Sequence, residues 1–362
     1  MTRTLFFCTA IMACLATVAA AMIRYELAFP GVSALFMGAN DVPDGRKFNL
    51  VASFHGLFSY LTVMLLGTTM AAAARDKGAF FAGPMVAIGL VFVTLPALVF
   101  AAAFLPAFPD ASGTALSVTL YQSPAPVSLL DQLLGYAPAT SWLTIQMHQL
   151  FLLPAAGLLF LGAFAMLSTQ PRFKWVGFVC LIAMAGTFGF VAPGFLDLRY
   201  PFASAMIIFA ALPLLICCVV CLFFARPPWL VVMTIGNAAT IAALSSFAFR
   251  TDLGGLADTM FQAAVLYVFP LGLTWFALPA VMLFTHPTRL PTWSIWAMPV
   301  VIAANLSLWI LPMMQLGRMG MPRQYSDYPS AFAALNLTMS LAVGVFIALY
   351  LAILITIRRA RA

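Results

Sequence analysis

Apolar stretches of about twenty residues follow one another along the chain, and this succession constrains the fold more than any other feature. A helix needs about 20 consecutive apolar residues to cross a hydrocarbon core ~30 Å thick. Only 7% of the residues are charged, against about a quarter in soluble domains. We therefore expect an all-α polytopic membrane protein with about ten transmembrane helices and a single transmembrane domain over residues 1–362. The spans are predicted to begin near Leu5, Phe48, Phe80, Ser141, Trp175, Pro201, Trp229, Asp258, Trp293 and Ala331.

Basic residues are distributed unevenly across these spans. With the N-terminus inside, the cytoplasmic side carries ten basic residues and one acid, Asp76, whereas the opposite side carries seven basic residues and nine acids. An excess of Lys and Arg is typical of cytoplasmic loops, so we expect an integral protein of the bacterial inner membrane with both termini cytoplasmic. This topology explains the net charge of +7. Membrane lipid is an expected partner, and nucleic acid is not.

Every Asp and Glu lies at or near a predicted membrane boundary, and none lies in the middle of a span. Proton pumps and ion-coupled transporters usually place ionisable groups along the transport path. Transporter sites are also often built from paired broken helices, which the sequence does not indicate. A small-molecule transporter is therefore a weakened hypothesis, and a proton relay would have to use water, hydroxyl groups and histidine.

One histidine, His55, lies inside the apolar span Phe48–Met70. An ionisable side chain at membrane depth is expensive and marks a functional-site hypothesis. Neutral histidine is also the commonest axial ligand of haem iron. The alternative is an imidazole that is hydrogen-bonded to a neighbouring helix.

All six cysteines lie in predicted spans, which argues against disulfides. Cys217 and Cys221 are spaced to share a helix face, where two thiolates can bind copper or zinc. The sequence places no third ligand nearby. Packing as small hydrophobic residues is therefore favoured.

Four segments of the chain carry a family resemblance. Gly320–Phe332 reads GMPRQYSDYPSAF, Ile23–Gly31 reads IRYELAFPG, Phe48–Gly56 reads FNLVASFHG and Asp258–Phe261 reads DTMF. They resemble GMPRR-Y-x-DYP-D-A-F, IRxELxxPG, YNxxxTAHG and the start of DTYYVVAHFHY in subunit I of the haem–copper oxidases, the catalytic subunit of cytochrome c oxidase. The resemblance weakens between about residues 78 and 240. Because the IRYEL segment ends the first apolar stretch, we interpret that stretch as a span rather than as a signal peptide.

Departures from the family pattern determine the expected function. The family uses six histidines for its haems and copper, whereas this chain has three. Val265 and Tyr267 stand where the tenth family helix has its two haem ligands. Oxygen reduction at a binuclear copper centre is therefore excluded by composition.

The resemblance implies a site for at most one haem. His55 corresponds to an axial ligand of the low-spin haem, Arg24 to the arginine that contacts the haem formyl group, and Arg323 to one of two propionate-binding arginines. His148, on the fourth predicted span, is an alternative axial ligand, although the family places no ligand on that helix. His286 lies at the predicted cytoplasmic edge and is interpreted as a solvated loop histidine.

The resemblance also implies an outer-face site for Na⁺ or Ca²⁺, which prefer oxygen ligands. The alternative is that the two carboxylates of this site pair with Arg24 or Arg323. The residues of the implied site are Glu26, Gly31, Ser326 and Asp327.

These observations lead to one main expectation and one close alternative. The chain is expected to be a degenerate cytochrome c oxidase subunit I-like protein that acts as a non-catalytic or single-haem component of a respiratory or oxidase-assembly complex, with other membrane subunits as partners. The alternative is a haem-binding electron-transfer subunit with His55 as axial ligand.

Overall fold

The computed structural model describes residues 1–32, 36, 45–79, 81–102, 142–170, 212, 214–224, 226–248, 259–286, 292–322 and 328–359. Throughout these residues the regular structure is helical, which confirms the predicted all-α class. Two residues, Thr259 and Pro322, form an isolated β-bridge. The described helices are α1 (Thr2–Ala28), α2 (Gly45–Asp76), α3 (Ala82–Ala102), α4 (Trp142–Ser168), α5 (Leu214–Phe224), α6 (Pro228–Ala248), α7 (Met260–Thr285), α8 (Thr292–Arg318) and α9 (Ala333–Arg359). A short 3₁₀ turn at Ser330–Phe332 lies between α8 and α9.

Three of the described helices are long and apolar enough to cross a membrane: Thr2–Ala28, Phe54–Asp76 and Ser330–Thr356. Five shorter apolar helical stretches of 10–17 residues accompany them in the described part of the chain. These helices are consistent with an integral membrane protein. The span predicted near Trp175 lies outside the described residues, so the number of about ten spans stays a prediction, as does the single domain.

Helix α2 lies at the centre of the described bundle. It packs against α1, α3, α4 and α7, and 89% of its most apolar window is buried. The corresponding windows of α1 and of the segment Ser330–Thr356, which covers most of the last helix, are 17% and 6% buried. Because these two helices are strongly apolar as well as exposed, their outer faces suit contact with lipid rather than with water.

Hydroxyl groups connect α1 to α2. The Thr2 hydroxyl donates to Asp76 Oδ2 at 2.6 Å, and the hydroxyls of Thr9 and Thr69 lie 3.2 Å apart. Residue numbers rise along α1 as they fall along α2, so the two helices are antiparallel. Hydrogen bonds between hydroxyls on facing helices are a common source of association in a membrane.

Helix α9 packs antiparallel against the C-terminal part of α1. The Ser340 hydroxyl donates to the backbone carbonyl of Arg24 at 2.9 Å, and Arg24 Nη1 lies 3.9 Å from the sulfur of Met339. Just before α9, the Tyr328 hydroxyl donates to the carbonyl of Leu27. The start of α9 therefore lies beside the end of α1.

Small residues allow several helices to approach closely. A Cβ added to Gly67 of α2 would overlap the backbone of Leu158 in α4, and one added to Gly162 would overlap the carbonyl of Gly67. A Cβ at Gly236 of α6 would overlap the ring of Phe276 in α7. Such close approach is typical of helix packing in membranes, where dispersion contacts replace the hydrophobic effect.

Two helices end in a Schellman motif. After α2, the N–H of Gly78 donates to Arg75 and that of Ala79 to Ala74. After α8, Gly320 and the residue after it repeat the same pair of bonds. Gly78 has φ +83° and Gly320 has φ +86°, which glycine adopts without a Cβ penalty. These turns end each helix at a defined residue.

Six of the described basic residues lie at one end of the bundle, which we call the basic end. Thr2 joins the start of α1 to the end of α2, Lys77 Nζ donates to the Phe284 carbonyl at the end of α7 at 2.6 Å, and Trp229 packs edge-on against Phe284. The antiparallel packing of α9 brings its C-terminal turn to the same end. The described basic residues there are Arg3, Arg75, Lys77, Arg226, Arg358 and Arg359.

Candidate functional site

His55 lies buried on α2 against α1. Its Nδ1 is 2.9 Å from the backbone carbonyl oxygen of Ala16, and 6% of the residue is exposed. A carbonyl oxygen can only accept, so Nδ1 carries the proton in this contact. The alternative interpretation of His55 was an imidazole that is hydrogen-bonded to a neighbouring helix, and the structure contains this bond.

The same bond selects the tautomer that a haem ligand needs. When Nδ1–H is donated to a backbone carbonyl, the neutral imidazole has its lone pair on Nε2, and a ligating histidine is commonly oriented in this way. The backbone around the ring is also fixed, because the Ser59 hydroxyl donates to the His55 carbonyl at 2.7 Å. If a haem were bound, His55 would be the residue that holds its iron, and the iron would supply one-electron chemistry.

Glu26 lies at the opposite end of the bundle from the basic end and is 1% exposed. Its Oε1 accepts the backbone N–H of Gly31 at 2.9 Å. Its Oε2 is buried and has no hydrogen-bond partner within the described residues. A buried carboxylate oxygen without a partner is costly, so this atom marks a place where a cation, a water molecule or a residue outside the described ranges is needed.

Gly31 contacts Glu26 as a hydrogen-bond donor. Its N–H partly satisfies the Glu26 carboxylate, and the role of Gly31 as a cation ligand, which the family resemblance implied, stays a prediction. Arg24 was one alternative partner for Glu26. Arg24 Nη1 lies 3.9 Å from the sulfur of Met339. Both Arg24 and Glu26 act electrostatically on Tyr328, and the pairing of Glu26 with an arginine stays a prediction.

Tyr328 and Asn336 lie near Glu26, and we call these three residues the outer cluster. Burial raises the pKa of Tyr328, and the nearby Glu26 carboxylate acts in the same direction, whereas Arg24 and a hydrogen bond from Asn336 oppose the change. The amide nitrogen of Asn336 also donates to the Phe332 carbonyl at 3.2 Å. The side-chain oxygen of Asn336, Oδ1, is buried without a hydrogen-bond partner in the described part of the chain.

The start of α7 joins the same end of the bundle. The N–H of Met260 donates to the Met321 carbonyl at 2.9 Å, next to the bridge between Thr259 and Pro322. Thr259 also caps α7, because its hydroxyl accepts the N–H of Phe261. Segments from α1, α7 and the stretch before α9 therefore meet at one end of the described bundle.

Several residues singled out from the sequence lie outside the described residues or have side chains that are not described. Arg323, Ser326 and Asp327 lie outside the described residues, as does Tyr267 in its side chain. His148 lies within α4, and nothing is described of its side chain. Within the described ranges, no three His, Cys, Asp or Glu side chains form a group that could hold a metal ion.

His286 lies just after α7, as a loop residue would, and is partly rather than fully exposed. It caps the C-terminus of α7, its ring lies 2.9 Å from the Thr285 hydroxyl, and the residue is half-buried. The end of α7 is also held by Lys77, which lies 4.1 Å from the centre of the Phe284 ring. Desolvation lowers the pKa of Lys77.

Sequence reasoning did not identify Tyr328 and Asn336 as members of the outer cluster. Tyr328 belongs to the motif GMPRQYSDYPSAF, so its position could have indicated a role in the cluster. The only indication for Asn336 was that an amide side chain is unusual in an apolar span. No protein-family model matches the chain, and no curated protein matches its sequence.

Proposed function

We propose that this chain is a degenerate haem–copper oxidase subunit I-like membrane protein, acting as a non-catalytic or single-haem component of a respiratory or oxidase-assembly complex. Its three histidines are too few for a haem–copper centre. We further propose that it spans a bacterial inner membrane about ten times, with the basic end in the cytoplasm.

The observation that carries this proposal is the meeting of segments that resemble the family. Tyr328 contacts Leu27 across 301 residues of sequence, and Met260 bonds Met321. A third segment contributes His55, which bonds α1 at Ala16. Short motifs that match by chance have no reason to contact one another, so their contacts support the resemblance. Fold analogy by itself does not identify a function.

A specific observation favours the electron-transfer alternative. The Ala16 carbonyl fixes the proton on Nδ1 of His55, which is the tautomer that ligates iron through Nε2. In this proposal His55 holds a single haem, with Arg24 and Arg323 as candidate contacts for its polar substituents. Partner membrane subunits would deliver or accept the electron.

Haem content of the purified chain tests these two forms of the proposal. An absorption spectrum with a pyridine haemochrome assay should give one haem per chain if the electron-transfer alternative holds, and His55→Ala should remove it. His286→Ala is the matched control, because His286 caps a helix at the basic end and should leave the spectrum unchanged. An iron-free protein would favour the non-catalytic form.

Co-purification tests the respiratory assignment itself. If the chain belongs to an oxidase or its assembly complex, mild solubilisation of the native membrane should retain haem-containing or copper-containing oxidase subunits with it. Recovery of the chain alone, with unchanged oxidase assembly when its gene is deleted, would contradict the proposal whatever the haem content.

A further inference from the structure

Two buried oxygens of the outer cluster have no hydrogen-bond partner among the described residues. They are Oε2 of Glu26 and Oδ1 of Asn336. Glu26 is 1% exposed and Asn336 is 0% exposed, so bulk water does not reach them. A buried acceptor without a donor is costly. A group that donates a proton or carries positive charge is therefore expected beside these oxygens.

The orientation of the Asn336 amide is fixed by the contacts of its nitrogen. Nδ2 lies 3.2 Å from the Phe332 carbonyl and 3.4 Å from the sulfur of Met321. A carbonyl oxygen and a thioether sulfur can accept a hydrogen bond but cannot donate one, so the amide nitrogen must face them. Exchanging the nitrogen and oxygen of the amide would break both contacts. Oδ1 is therefore turned away from these acceptors.

Tyr328 connects Asn336 with the end of α1. The phenol donates its one proton to the Leu27 carbonyl, so its oxygen accepts the hydrogen bond from Asn336. Leu27 directly follows Glu26, and the Glu26 carboxylate acts electrostatically on the same phenol. Both oxygens that lack a partner therefore belong to side chains that interact with Tyr328.

The C-terminal end of α1 favours positive charge at this place. In a continued helix the Leu27 carbonyl would accept the N–H of Gly31, four residues later. Here the Gly31 N–H donates to Glu26 Oε1 at 2.9 Å, and the Leu27 carbonyl accepts from Tyr328. The last carbonyls of a helix carry partial negative charge, and the last turn of α1 contains no basic residue. The Glu26 carboxylate adds to this negative end.

We propose that Oδ1 of Asn336 is a further ligand of a hard cation bound at Glu26. The family resemblance implied Glu26, Gly31, Ser326 and Asp327 for this cation and did not include Asn336. Carboxylate and amide oxygens are both ligands that Na⁺ and Ca²⁺ prefer. A water molecule that donates to both oxygens is the competing occupant, and it predicts no response to either ion. The proposal does not depend on haem binding or on a respiratory role.

Calorimetric titration of Ca²⁺ into the full chain in neutral detergent tests this ligand. Asn336→Leu removes the oxygen at similar volume and is expected to weaken Ca²⁺ binding about tenfold. Asn336→Asp keeps an oxygen and adds a charge, so it is expected to strengthen Ca²⁺ binding about tenfold, because ligand charge raises Ca²⁺ affinity. Both variants lose the Nδ2 donor. A role confined to that donor would therefore weaken binding equally in both.

Asn237→Leu is the matched control, because it removes another buried amide, on α6, that is 2% exposed. It should keep the wild-type affinity. Na⁺ is tested by the melting temperature in NaCl against choline chloride.

Three results would overturn the proposal: a wild-type protein that responds to neither ion, an Asn336→Leu variant that binds as tightly as the wild type, or an equal loss of binding in Asn336→Leu and Asn336→Asp. Thermal melting in EDTA and choline chloride checks that each variant folds. If Asn336→Asp does not fold, Asn336→Leu alone decides, because wild-type affinity in this variant excludes Asn336 as a ligand.

Discussion

Replacement of Glu26 by Gln distinguishes the partners available to its buried carboxylate. The glutamine carbonyl retains the hydrogen bond from the Gly31 N–H, which Glu26 accepts at 2.9 Å. The change is therefore confined to the charge and to the second oxygen, which has no partner among the described residues. A cation and an arginine at this position give opposite expectations for the response of the protein to ions.

If Na⁺ or Ca²⁺ binds here, the wild-type protein gains stability by linkage. At a free ion concentration of 100 times Kd, the free energy of unfolding rises by ~2.7 kcal/mol. At the ~2 °C per kcal/mol expected for a chain of this size, the melting temperature rises by about 5 °C. Glu26→Gln should lose this response, because a neutral amide is a poor ligand for a hard cation.

If an arginine outside the described residues pairs with Glu26, neither ion should change the melting temperature beyond the effect of ionic strength. Glu26→Gln would then leave a buried guanidinium uncompensated and cost ~3 to 5 kcal/mol, or about 6 to 10 °C. A loss of this size without any ion response would identify the arginine.

Differential scanning fluorimetry in EDTA, CaCl₂, NaCl and choline chloride at matched ionic strength measures these effects. Asp76→Asn is the charge-matched control, because it removes a carboxylate at the basic end and should keep the full ion response. A wild-type protein that responds to neither ion, together with a Glu26→Gln variant of unchanged stability, would show that the buried carboxylate has neither partner. A distance above about 8 Å between the carboxylates of Glu26 and Asp327 would also end the cation hypothesis, because Ca²⁺–oxygen distances are ~2.3 to 2.6 Å.

Three further predictions concern other parts of the chain. The purified protein should retain no stoichiometric copper and show no cyanide-sensitive oxygen uptake, which metal analysis and an oxygen electrode would measure; either activity in this chain alone would contradict the composition argument. Because the pKa of Tyr328 is raised above 10.0 by burial, its stabilising effect is complete below pH 10 and lost as the pH rises through the folded-state pKa; melting curves from pH 8 to 11 should show this alkaline loss, and Tyr328→Phe should reduce it. Gly162→Ala should cost ~1 to 3 kcal/mol by overlap with Gly67, whereas Gly83→Ala, where a Cβ meets nothing within 4 Å, should not destabilise the protein; equal melting temperatures for the two variants would contradict the close packing of α2 and α4.

The helical class followed from the sequence because length and apolarity are local properties. Helix pairing did not follow, since an apolar helix has no polar face to mark its neighbour. The contact between Thr9 and Thr69 illustrates this limit. Each hydroxyl also lies within hydrogen-bond distance of a carbonyl in its own helix, that of Leu5 or of Leu65. Because each hydroxyl has one proton, one of them must release its own carbonyl to bond across the interface. Nothing in either helix specifies the partner there.

The candidate site was predictable where a side chain was unusual for its surroundings. His55 was identified because an imidazole is rare in an apolar span, but its partner is the backbone of Ala16, which carries no residue-specific signal. Likewise, Glu26 was identified from its motif, whereas the donor role of the Gly31 N–H depends on how the chain turns after α1. A hydrogen-bond partner on the backbone can be identified only from a three-dimensional structure, because nearly every residue carries the same N–H and C=O groups.

The contact of α9 with α1 has a consequence for biosynthesis. The Tyr328 hydroxyl and the Leu27 carbonyl are 301 residues apart in sequence, so ribosomes that add ~5 to 20 residues per second need roughly 15 to 60 s to supply the second partner after the first. During this interval the end of α1 lacks the bonds that Tyr328 and Ser340 later make to Leu27 and Arg24. The first helix must therefore remain in place without these bonds until almost the whole chain has been synthesised.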